Sequence, residues 1–351
     1  MKRFYVLTVL ALAILAACAP KSQKEQTKTD TAAAFDQQLY ESAKSIFGAL
    51  PKLAENPDNP ITPEKVALGQ ALYFDTRLSN KENISCNSCH NLNTYGVDNL
   101  PTSPGDEGEF GGRNSPTVLN AAFHFAQFWD GRAKDVEEQA GGPILNPIEM
   151  AMPDQKVVIE RLSKVDGYKK MFAAAFPGVN MPINYENIQK AIAAFERELI
   201  TPSRFDDYIN GKQDALTAQE LSGMKKFMDM GCTACHNGTI FGGNMYQKFG
   251  LMGNYWDFTH SAKVDDGRFL VTKNEADKFL FKVPGLRNIE KTHPYFHDGS
   301  VKDLGEAVKI MAKTQLSQEL SEEDVQDILS FFKSLTGTLP PELTVAPQMP
   351  M

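Results

Sequence analysis

Two short stretches decide the fold: residues 86–90 read Cys-Asn-Ser-Cys-His, and residues 232–236 read Cys-Thr-Ala-Cys-His. Cysteines three apart on a helical turn share a face, so both thiols can reach the two vinyl groups of one porphyrin. The next residue, His90 or His236, then points a ring nitrogen at the iron. A redox-active dithiol or half of a zinc site also uses paired cysteines. Two copies, each followed at once by histidine and both downstream of an export signal, read instead as covalent c-type haem attachment at Cys86, Cys89, Cys232 and Cys235.

The wide spacing of the motifs implies two modules, and helix signals surround both. Before the first, Thr62 and Pro63 open an apolar-faced run carrying Leu68 and Leu72, the pattern of a capped helix. Before the second, Thr217 and Glu220 form a capping box. Ile188, Ile192, Phe195 and Leu199 make an apolar stripe. Ser321 opens a last helix, stapled by Leu320 and Val325, for which Gly337 is the expected stop. Strand alternation is nearly absent. The fold expected is mainly α, with two c-type cytochrome domains that each enclose one covalently bound haem, joined by long loops.

The N-terminus carries Lys2 and Arg3, then an apolar run too short to span a bilayer, which suits a signal peptide over residues 1–17. Leu15-Ala16-Ala17-Cys18 resembles a bacterial lipobox, with Cys18 as the lipidated residue. Each buried methylene of such an anchor contributes about 0.8 kcal/mol. Ala19 is not acidic, which by the same resemblance favours the periplasmic face of the outer membrane. Residues 18–35 lack large apolar side chains and read as a disordered tether with a mean span of roughly 20 Å. The remainder of the 351 residues is long enough for two domains, here 36–205 and 206–340, with a tail at 341–351. Net charge is −8, reaching −10 once Lys2 and Arg3 are removed, which argues against nucleic acid as a partner.

Longer blocks carry a family resemblance. "LGQALYFDTRLS", "RNSPTVLNAAF", "QFWDGRAKDVEEQAGGPILNPIEM", "VPGLRNIEKTHPYFHDGSV" and "EAVKIMAKTQL" are similar, in order, to the bacterial dihaem cytochrome c peroxidases over about residues 36–340. The resemblance implies that the N-terminal haem reduces hydrogen peroxide. The C-terminal haem would have His236 and Met311 as axial ligands and admit electrons from a small cytochrome c or cupredoxin. From the residues alone, Met245, Met252 and Met311 are equal candidates for that ligand; the resemblance selects Met311. It further implies Glu149 as the acid–base residue, Gln139 as its neighbour orienting peroxide, Pro143 packing above the haem, and Trp129 between the two haems. It also implies a calcium ion held by Asn114, Thr292 and Pro294, and a homodimer as the usual assembly.

One departure stands out. Many family members carry a histidine in the loop after the first motif that caps the peroxidatic iron; here "PTSPGDEGEFGGRNSPT" has none, and Asp106 and Glu107 fall near its place. The first iron is therefore expected to be open or water-bound even when both haems are ferric; the rival ligand is His124, whose setting reads as a packed helix. Gly105, Gly108, Gly111 and Gly112 suggest a mobile loop. Two other functions compete: a dihaem electron carrier without catalysis, and oxidation of a partner protein's side chains. The latter resembles the related enzyme that matures a tryptophan-derived cofactor, which has a tyrosine where this chain has Met311.

Overall fold

Helix Pro63–Phe74 starts where the Thr62 side chain accepts the Lys65 N–H and Pro63 occupies the first turn. At 12 residues it is too short to persist alone in water, so burial decides its stability. Leu68, Leu72 and Tyr73 are fully buried, each leucine contributing about 2 kcal/mol. Its partner is helix Tyr185–Glu196, capped by Asn184, which buries Ile188, Ile192 and Phe195. The two cross at Gly69, where any β-carbon would overlap the Ala191 carbonyl.

The second half repeats this device. Helix Ala218–Asp229 begins at the Thr217/Glu220 capping box, and helix Glu322–Ser334 at a Ser321/Asp324 box. They cross at Gly223, whose missing side chain leaves room for the Asp327 carbonyl. In each half a crossed helix pair therefore stands beside one Cys-x-x-Cys-His turn.

The structure, a computed structural model, describes Met1 and residues 36–351. The leader, the tether and Cys18 lie outside the described residues. Among the described residues the architecture is mainly helical. The only strands there, Tyr246–Lys248 and Leu280–Lys282, pair antiparallel with Tyr246 opposite Lys282. No described helix is long and apolar enough to cross a membrane.

One core gathers Leu68, Leu72, Ile144, Phe172 and Ile192; another gathers Phe205, Phe227, Phe241, Ile328 and Phe331. The chain ends cross over. Tyr40 and Phe47, from and just after helix Gln37–Ile46, join the second core, while Leu343 packs beside Tyr73 and Phe195 of the first half. The buried Arg287 guanidinium grips Asp206 at 2.7 Å through two nitrogens, and Arg197 grips Glu137 at 2.7 and 3.0 Å.

Three local expectations change. The last helix ends at Ser334 with Leu335 as its cap; Gly337 instead lies against the Thr201 and Pro202 carbonyls and donates to Asn288 Oδ1. The segment before His124 is a 3-10 turn, Ala121–Phe123, and His124 is already extended. The glycine-rich loop is pinned rather than loose: Asp106 N–H donates to the Glu149 carbonyl at 2.7 Å, and Pro104 bridges Phe110.

Candidate active site: two cavities with a shared wall

Ser85 opens the single helical turn Cys86–Cys89, and His90 N–H closes it onto the Cys86 carbonyl. The His90 ring sits 3.0 Å through Nδ1 from the Pro116 carbonyl. A carbonyl accepts only, so Nδ1 carries the proton and Nε2 keeps its lone pair for a metal. At the second motif His236 repeats the arrangement, Nδ1 lying 3.0 Å from the Phe241 carbonyl, and burial lowers the pKa of both imidazoles. The four thiols form no disulfide. Paired thiols, an oriented imidazole and an adjoining cavity are the donor set of a covalently attached haem, so the residues fit that group at both motifs.

Each motif opens on its own cavity. The first, of about 970 Å³, is lined by Cys86, Cys89, His90, Gln139, Pro143 and Glu149. The second, of about 360 Å³, is lined by Cys232, Cys235, His236 and Met311. The first cavity is the larger of the two.

Glu149 is presented by the break of a helix. Helix Val136–Leu145, capped by Asp135, carries Gln139 and contains Pro143. The Pro143 carbonyl then accepts from Asn146 and Met150 in a tight turn. Asn146 Nδ2 donates to Glu149 Oε1 at 2.8 Å. Burial raises the Glu149 pKa, opposed by the Arg132 charge and the Asn146 bond. Arg132 lies over the Phe128 ring at 3.5 Å and lines the same cavity. Glu196 also lines it, its carboxyl pushed up to about 8, first by burial and then by the Glu137 charge. Sequence reasoning missed Asn146, Arg132 and Glu196; only the Asn at three residues before Glu149 carried a local signal.

Asp106 does not line the first cavity. One carboxylate oxygen accepts the Lys81 N–H at 2.9 Å, and the Asp106 carbonyl accepts from Asn83. Glu107 pairs with Lys81 instead of facing the cavity. His124, the rival ligand, lines the second cavity and not the first, where it meets Lys282. Of the other histidines, exposed His260 stands at the first cavity's rim and His297 in the wall common to both.

Met311 projects from helix Leu304–Leu316, whose N-terminus is capped by Asp303. Met245 and Met252 do not line the second cavity. Met230 does, but it lies two residues before Cys232 of the attachment turn, whereas Met311 arrives on a separate helix.

Trp129 lines both cavities, and its indole N–H donates to the Asn114 carbonyl at 2.9 Å. Asn114, Thr292 and Pro294 share the second cavity's wall. Asn114 donates Nδ2 to Leu100, which leaves Oδ1 as its acceptor, and such neutral oxygens suit a hard cation. Among the described residues no cluster of three or more His, Cys, Asp or Glu side chains forms a metal site.

Residues 63–214 match the family model described as di-haem cytochrome c peroxidase. The chain is 45% identical over 304 residues to cytochrome c551 peroxidase of Pseudomonas aeruginosa, covering 86% of this chain and 87% of that one. It is 34% identical to methylamine utilization protein MauG of Methylorubrum extorquens, covering 92% and 91%. A solved MauG-like protein associated with microbial copper homeostasis superposes with a TM-score of 0.74 at 28% identity, over 85% of this chain and 95% of that one.

Proposed function

The chain belongs to the di-haem cytochrome c peroxidases, an enzyme family carrying two c-type haems, and on that premise we propose that its first cavity is the site of peroxide reduction and its second the port of electron entry. The observation that carries this assignment is the convergence of Glu149 and Gln139 on the cavity of His90, while the second cavity receives Met311. A thioether ligand raises a haem's potential relative to a second imidazole, as an electron entry point requires.

Peroxide reduction consumes two electrons and two protons and yields two waters; the bound haems supply the electron chemistry. The protein's part is proton movement. Glu149, oriented by Asn146, takes the proton from the near oxygen of peroxide and returns it to the departing one. Gln139 holds the substrate by its amide. Trp129, common to both cavities, places an aromatic ring on the electron path. Asn114, Thr292 and Pro294 would hold a calcium ion, which would stiffen this wall.

No protein side chain would cap the first haem in the fully oxidised protein; the turning away of Asp106 and the engagement of His124 with Lys282 support this. A small cytochrome c or cupredoxin serves as donor, the acidic balance of the chain favouring a basic face on it. The protein is periplasmic, held by lipidated Cys18 at the outer membrane, and functions as a homodimer.

Replacing Glu149 with Gln tests the assignment: peroxide turnover should fall about 10²-fold or more, with both haems attached and the second haem's spectrum unchanged. Undiminished turnover would remove Glu149 from the mechanism. A protein with no peroxidase activity before mutation would be an electron carrier. Oxidation of a partner's side chains is disfavoured by Met311, which stands where the related cofactor-maturing enzyme has tyrosine.

A further inference from the structure

Lys282 closes strand Leu280–Lys282 and is only 5% exposed. Its N–H donates to the Trp129 carbonyl at 2.7 Å, fixing it to the wall between the cavities. Its ammonium has one side-chain partner among the described residues, His124 Nδ1 at 2.9 Å. An ammonium only donates, so His124 accepts, as a neutral imidazole. The pair therefore holds a cation with no counter-ion. The other buried cations are treated differently: Arg287 is matched to Asp206 and Arg197 to Glu137.

An ammonium removed from water without an anion either loses its proton or is completed by negative charge from elsewhere. Burial draws the Lys282 amine down to about 7, and no carboxylate among the described residues counters it. Both Lys282 and His124 line the second cavity. A second polar group on that wall has an unmet need as well. His297 is 2% exposed, stacked at 4.4 Å on Phe281, and neither of its ring nitrogens has a partner. The cavity that lacks a negative charge in its wall is the one fitted to a haem, and a haem carries two carboxylates at one edge.

We propose that Lys282, held by His124, is the charge partner of a carboxylate of the haem in the second cavity, and that this contact raises that haem's reduction potential beside Trp129. The inference rests on the reading that His236 and Met311 bind that haem. The direction follows from Coulomb's law: without the ammonium, an uncompensated carboxylate near the iron favours the ferric state. His124 is then a positioning residue for the cation and has no part in ligating the first iron.

The experiment is a redox titration of the holoprotein as wild type, Lys282→Met and Lys282→Arg, following the second haem optically. Lys282→Met should shift the ferrous-to-ferric ratio at fixed poise roughly tenfold toward ferric, and Lys282→Arg should restore most of it. Methionine ligation should persist in all three spectra. A midpoint for Lys282→Met equal to wild type, with methionine ligation intact, overturns the proposal and leaves the ligand reading standing. Absence of methionine ligation in the wild type strikes the ligand reading instead. If Lys282→Met does not mature, or the ligand reading fails, a crystal structure of the wild-type holoprotein decides: Lys282 Nζ bonded to a haem carboxylate supports the proposal, and Nζ without one refutes it.

Discussion

Glu149 shows how one carboxyl is tuned by burial and two neighbours. Burial raises its pKa, while the Arg132 charge and the Asn146 amide pull the other way. On the proposed reading Glu149 must be ionised to take the first proton, so activity should fall as pH drops through this raised pKa, at higher pH than an ordinary carboxylate would give. Arg132→Gln removes a lowering influence and should move the acidic limb of the kcat/KM profile further up in pH; an unmoved limb would show that another group governs it. Cys86, Cys89, His90, Cys232, Cys235 and His236 were legible in the sequence because their spacing is itself the chemistry. Glu149, Gln139, Trp129 and Met311 were singled out only through resemblance, since one carboxylate or thioether carries no local signature. Lys282 was invisible: its partner His124 is 158 residues away, and nothing in either segment's pattern marks a buried ammonium. The same distance explains why His124 was read as an iron ligand candidate rather than a partner of lysine.

At the scale of elements, crossed helix pairs hold each attachment turn in place. The helices were readable because Thr62, Thr217 and Ser321 announce their starts and apolar residues repeat on one face. The crossing points were not, because Gly69 and Gly223 look like weak helix formers until the carbonyls of Ala191 and Asp327 are seen beneath them. Gly223→Ala should therefore lose stability despite alanine's better helix propensity. The gain of about 1 kcal/mol is outweighed by an overpacking cost of about 3 kcal/mol. Thermal unfolding should show a net drop of several degrees, and a rise would mean that the helices separate without cost. Gly337 illustrates the opposite error: its position after a helix suggested a stop, whereas its role is to admit the backbone at Thr201 and Pro202.

Across the whole molecule, the crossed chain ends tie the two halves together. Gln70 donates to the Glu342 carbonyl at 2.8 Å, Arg77 to the Pro350 carbonyl at 3.2 Å, and Gly167 to the Met351 carbonyl at 2.7 Å. Each bond contributes about 1 kcal/mol. Removing residues 341–351 should thus speed amide exchange in helices Pro63–Phe74 and Asp166–Ala175 and spare Ala218–Asp229; uniform protection in all three would show the tail to be idle. The mainly helical, two-haem architecture was readable from the motifs, but this exchange of ends depends on packing that no local pattern encodes. On the proposed reading, one cavity admits peroxide and the other is closed by Met311. The most direct measurement is an electron paramagnetic resonance spectrum of the fully oxidised holoprotein. A high-spin ferric signal from the first haem beside a low-spin signal from the second is the predicted result; two low-spin signals, with no high-spin iron, would contradict it.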